Sequence, residues 1–132
     1  MFADVDKQLV GWVQWVGIVT NDLDRQRHFY GEVLGLKELA ASDDFVYFDL
    51  GWPRILEIKR QSAVPGEPTG CQVGYMVGDI HVARRQLMER GAIPLDETEG
   101  GPAFGGYWIR FRDADGNIFQ VQQRLGPPWP LG

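Results

Sequence analysis

The sequence predicts an α+β fold built from two copies of one strand–helix–strand–strand–strand module. Three observations carry this. Residues 12–35 run from an apolar, β-branched stretch (Trp12 to Val19) into a helical pattern closed by Gly35. The same text returns without a gap when Trp15-Val16-Gly17 is set on Gln72-Val73-Gly74 and Asp22-Leu23 on Asp79-Ile80. Each half also ends in a similar strand, Ile55-Leu56-Glu57-Ile58 and Ile118-Phe119-Gln120-Val121. An internal repeat constrains a fold more than any single motif.

Taken in order, residues 1–8 form a lead-in. They carry Asp4, Asp6 and Lys7 and no apolar core, which does not fit a secretion signal. Strand one is expected over 10–19. Asn21 and Asp22 can cap a helix over 22–34, whose apolar stripe is Leu23, Tyr30, Val33 and Leu34. A short strand over 36–41 follows, then the turn Asp43-Asp44. Strands 45–50 and 54–59 pair around Gly51-Trp52-Pro53.

Residues 62–70 hold two prolines and two glycines and suit neither helix nor central strand. They divide module one (about 9–61) from module two (about 71–124). In module two, strand 72–77 leads to helix 79–90, with its stripe Ile80, Ala83 and Leu87 closed by Gly91. A sixth strand is expected over 93–98 and a glycine-rich lip over 99–106. Strands 107–112 and 117–123 meet at the turn Asp113–Gly116. The tail, 125–132, favours polyproline geometry, with Trp129 as a docking side chain.

Composition narrows the function. The 132 residues suit one pseudo-duplicated domain, and 44% hydrophobic content suits an ordinary core. Thirteen basic against 18 acidic residues give a net charge of −5. That excludes a phosphate-neutralising surface and so a nucleic-acid partner. The longest apolar run, Leu9 to Val19, is too short to span a bilayer and is interrupted by Gln14. Cys71 is the only cysteine, so no intrachain disulfide forms. A cytoplasmic protein is the expectation.

Asp22-Leu23-Asp24, Phe29-Tyr30, Leu34-Gly35-Leu36 and Asp113-Ala114-Asp115-Gly116-Asn117 together resemble the vicinal oxygen chelate superfamily, the glyoxalase/bleomycin-resistance/dioxygenase group, over about residues 10–124. The resemblance implies a curved mixed sheet around a cavity. In metal-dependent members, the first and last strands of each module supply the ligands. Those positions here are Trp15, Glu57, Gln72 and Gln120, and the repeat pairs Trp15 with Gln72 and Glu57 with Gln120.

This set is poor for a metal. An indole has only an N–H donor, and neutral amide oxygens bind transition metals weakly beside imidazole or carboxylate. His28 and His81 belong to the helices, away from the strand positions. The expected cofactor is therefore none, with a divalent metal at Glu57, Gln72 and Gln120 as the alternative. Glu57 is a carboxylate in an apolar sheet, so it is ion-paired or contacts a ligand. Lys59 shares its face, and Arg110 is the other candidate partner.

Five tryptophans in so short a chain suggest aromatic walls. Trp15 and Trp108 can meet a flat or cationic organic ligand, and strand 45–50 adds Tyr47 or Phe48 from whichever face lines the cavity. Ordinary core packing is the competing reading of these aromatics. The expected protein is a metal-independent small-molecule binder and a homodimer, with Trp15, Glu57, Gln72, Gln120, Trp108, Arg110, Tyr47 and Phe48 at the ligand. The alternative is a lyase, isomerase or dioxygenase in which Glu57 is catalytic. Asp113–Asn117 fails as a calcium loop, the glycine pairs fail as a phosphate loop, and Cys71 has no evident base.

Overall fold

The structure is a computed structural model describing residues 9–61 and 70–125. The expectations for the lead-in, for linker residues 62–69 and for Trp129 lie outside the described residues. The remainder is an α+β chain of two βαβββ modules, as the repeat predicts. It forms two compact units. One is Gln14–Val73, and the other comprises residues 9–13 and 74–125.

In the first unit, β1 (Val13–Thr20) leads into α1 (Leu23–His28), then come β2 (Glu38–Ala41), β3 (Phe45–Asp49) and β4 (Ile55–Arg60). The strand order is β2-β3-β4-β1. β1 pairs with β4 in parallel, and β3 pairs with β4 in antiparallel register. Asp22 caps α1 by accepting from the Arg25 backbone N–H at 3.1 Å. α1 is shorter than the expected 22–34. Its continuation, Phe29–Val33, is a wider π-turn, with Leu34 N–H donating to the Phe29 carbonyl at 2.9 Å. Gly35 then takes the left-handed conformation, φ 74°, that its place after the helical stripe predicts.

Side-chain alternation assigns the two faces of this sheet. Leu23 from α1 packs with Val46, Phe48, Leu56 and Ile58, flanked by Val16, Ile18 and Tyr30. The opposite face therefore carries Trp15, Gly17 and Val19 from β1, Ile55, Glu57 and Lys59 from β4, and Phe45 and Tyr47 from β3. Phe48, expected as one of two candidates for the ligand face, instead belongs to the core beneath the helix and is 1% exposed.

β5 (Gly70–Met76) begins in the first unit and passes at Gly74 into the second, where α2 (Ile80–Glu89), β6 (Glu99–Gly101), β7 (Gly106–Arg112) and β8 (Ile118–Arg124) follow. The strand order is β5-β8-β7-β6. Gly70, expected in the linker, opens β5. Asp79 caps α2 by accepting from the His81 and Val82 backbone N–H groups at 2.9 and 3.0 Å. Val77, Ile80, Ala83, Ile109, Phe111 and Val121 form this unit's core.

Two expectations fail here. Residues 93–98 are not a strand. Pro94 lacks an N–H for a ladder and makes only an isolated bridge to Phe111, while Ile93 is 76% exposed. The sheet's last strand is instead β6, within the stretch expected as a glycine-rich lip, and Gly100 and Gly101 are paired with Tyr107 and Gly106.

The two registers reproduce the repeat. Gly17 stands opposite Glu57 on β1 and β4, and Gly74 stands opposite Gln120 on β5 and β8. No helix among the described residues is long and apolar enough to cross a membrane.

Candidate functional site

Each unit has a helix-free sheet face, and the sequence-predicted residues divide between the two. In the first unit, the parallel pairing of β1 with β4 sets Trp15 near Glu57. The Trp15 indole N–H donates to Glu57 Oε1 at 3.0 Å. The indole is 3% exposed, and the Lys59 ammonium stands 5.4 Å from its ring centroid. Tyr47 is the register partner of Glu57 on β3. Its ring lies 4.8 Å from that of Phe45, two residues earlier on the same face. Gln72 is buried on β5, with the strand parity of Gly74.

Trp15 lies close only because residue 17 has no side chain. A β-carbon on Gly17 would stand 2.1 Å from Trp15 Cη2. This ring-over-glycine contact turns the indole N–H along the sheet toward Glu57. The sequence shows Gly17 and Gly74 as matched positions but does not reveal that contact.

In the second unit, Gln120, Trp108 and Arg110 share one face. Arg110 is opposite Gln120 in the register, and Trp108 is opposite Gln122. Arg110, expected as a candidate partner for Glu57, makes a two-pronged contact with Asp96, Nε to Oδ2 at 2.6 Å and Nη2 to Oδ1 at 3.0 Å. This bond, more than any other influence, holds the Asp96 carboxyl below its ordinary range. Asp96 was missed by sequence reasoning because it lies in the stretch assigned to a strand. Gln122 Nε2 donates to Gln120 Oε1 at 2.9 Å, and Arg124 Nη2 donates to Gln122 Oε1 at 3.2 Å. Phe104 meets Trp108 edge-on at 6.2 Å. The alternation Gln120, Gln122, Arg124 was visible in the sequence as one strand face, but its hydrogen-bond chain was not.

The donor chemistry tests a metal at the positions the resemblance implies. Trp15 offers an N–H and spends it on Glu57. The Gln120 oxygen, its only metal-binding atom, accepts from Gln122. Among the described residues no group of three or more His, Cys, Asp or Glu side chains is placed to hold a metal. Trp15 and Gln120 are thus engaged with neighbouring side chains, and Glu57 is the one carboxylate among the four positions. His28 and His81 are exposed helix residues, as expected.

Comparison with known proteins places this geometry. A family model described as the Glyoxalase/Bleomycin resistance protein/Dioxygenase superfamily matches residues 12–121. No curated protein matches the sequence. Among solved structures, methylmalonyl-CoA epimerase from Mycobacterium tuberculosis is similar at 22% identity and a TM-score of 0.71, over 94% of this chain and 93% of that one. The Mn(II)-bound glyoxalase from Novosphingobium aromaticivorans is similar at 20% identity and a TM-score of 0.70, over 93% of this chain and 42% of that one. An extradiol ring-cleaving dioxygenase from B. fuscum is similar at 16% identity and a TM-score of 0.68, over 87% of this chain and 33% of that one. The chain thus spans less than half of the last two. Identities this low establish a shared fold, and a fold alone does not carry an activity.

Proposed function

The chain belongs to the glyoxalase/bleomycin resistance protein/dioxygenase superfamily, and from that premise we propose that it is a metal-independent binding protein for a small planar or cationic organic molecule. The observation that carries this is the hydrogen bond from Trp15 to Glu57. It joins two of the four positions that the family resemblance picks out and ties the carboxylate to an aromatic side chain of the same sheet face. In this reading Glu57 is the acidic anchor for the ligand, and the rings of Tyr47 and Phe45 lie on the neighbouring strand of the same face. The Lys59 ammonium over the Trp15 ring shows that this aromatic surface makes cation–π contact.

A second reading is a metal-dependent lyase, isomerase or dioxygenase with Glu57, Gln72 and Gln120 as ligands. The fold shared with a Mn(II)-bound glyoxalase favours it. A homodimer and a cytoplasmic location complete the proposal. The exposed Trp12 and Val13, at the start of β1, support self-association.

Metal content after incubation with Fe(II), Ni(II), Mn(II) and Zn(II), with Glu57→Ala as control, separates the two readings. The proposal expects no stoichiometric metal, together with quenching of tryptophan fluorescence by cationic aromatic compounds in a ligand screen. A stoichiometric metal lost in Glu57→Ala would select the enzyme reading. Sedimentation of the purified protein tests the dimer.

A further inference from the structure

The hydrogen-bond chain on the second unit has a direction, and the direction selects a ligand. Arginine has donors and no acceptor. Arg124 therefore fixes the carboxamide of Gln122 with its oxygen toward the guanidinium, at 3.2 Å. The Gln122 nitrogen then points the other way and donates to Gln120 Oε1 at 2.9 Å. That in turn commits the Gln120 oxygen and leaves its Nε2 hydrogens as the end of the chain. Gln120 is 5% exposed, and among the described residues nothing accepts from its Nε2. A donor with no protein acceptor is open to water or to the acceptor atom of a ligand.

The surroundings have the same polarity. Arg110 stands opposite Gln120 in the register, with its guanidinium oriented by Asp96. Trp108 is on the same strand face, and Phe104 packs edge-on against it. The face thus combines a directed N–H donor, an oriented cation and aromatic surface.

We propose that this face of β7 and β8 is a subsite for the acceptor oxygen of an aryl carboxylate or aryl carbonyl ligand, with Gln120 Nε2 as donor and Arg124 as its positioning residue. The subsite rests on the reading that the helix-free faces bind a small organic molecule. It adds to that reading, on the second unit's face alone, the need for an acceptor atom, since a cationic head group has none to offer Gln120.

The test uses benzoate and benzylamine, which share a ring and differ in head group, with the full-length protein labelled with nitrogen-15. Benzoate is expected to shift the Gln120 side-chain amide resonance and to bind there about tenfold more tightly than benzylamine, the gain of a charge-assisted hydrogen bond. Gln120→Glu turns the group into an acceptor and is expected to reverse that preference. Arg124→Met frees the Gln122 amide to turn over. It is expected to lower benzoate selectivity while Gln120 remains, an effect that merely filling space would not produce. Methyl resonances of Ile109 and Val121 report whether each variant is folded. An unshifted Gln120 amide up to millimolar benzoate overturns the subsite, as does an unchanged preference in folded Arg124→Met. The Trp15 indole N–H is read in parallel. If it shifts while Gln120 does not, ligand binding stands and only the subsite fails; if neither moves, both fail.

Discussion

The six-membered ring of Trp15 occupies the space that a β-carbon on Gly17 would need, with Cη2 only 2.1 Å from that position. The two residues lie on one strand and one face, so the glycine sets the indole's position and, through it, the bond to Glu57. Gly17→Ala must push the ring away. Overpacking of this kind costs about 1–3 kcal/mol. Chemical denaturation is expected to show that loss, together with altered tryptophan fluorescence. Unchanged stability and spectrum would mean that the ring is not held against residue 17.

Phe48 belongs to the core beneath α1, packed with Leu23, Val46, Leu56 and Ile58. Phe48→Ala is expected to cost about 3–5 kcal/mol, the usual range for emptying a buried aromatic site. Tyr47→Ala, one residue away on the opposite face, should cost much less and instead weaken binding of a cationic aromatic probe. Paired melting and fluorescence titrations separate the two. Equal stability losses would undo the face assignment.

That assignment marks where the sequence became ambiguous. Alternation shows that Tyr47 and Phe48 face opposite ways but does not show which of them meets the helix. The repeat was more legible. The gap-free match of Gly17 with Gly74 survives as a shared register, each glycine opposite its module's candidate polar residue. Trp15 and Glu57 were legible as members of one face, while their hydrogen bond depended on a ring lying over a glycine. Asp96 was illegible because Pro94 broke the expected strand and left the carboxylate in a loop beside Arg110.

The pairing of Asp96 with Arg110 makes part of the stability depend on pH. The Arg110 hydrogen bond lowers the Asp96 pKa below its ordinary 3.8. A depressed folded-state pKa gives stability that is present above 3.8 and is lost as pH falls through the lowered value. Wild type should therefore exceed Asp96→Asn in stability at neutral pH, and the gap should close in the acid range below 3.8. Parallel denaturation curves across that range check the sign. A gap that widened on acidification would contradict the pairing.

Glu57 combines two roles that substitution can separate. It accepts the Trp15 N–H, and in the proposed function it is the ligand's acidic anchor. Glu57→Gln keeps an acceptor for the indole and removes the charge. Its melting temperature should stay near wild type, while a cationic aromatic probe should bind about tenfold more weakly, the scale of one charge-assisted contact. Glu57→Leu removes the acceptor as well and leaves a buried indole N–H unmet, at a cost of about 1–3 kcal/mol. The ordering expected in stability is wild type, then Gln, then Leu, whereas in cation binding Gln and Leu should both fall. If Glu57→Gln binds the cation as tightly as wild type, the carboxylate charge does not anchor the ligand and serves only to hold Trp15 in place.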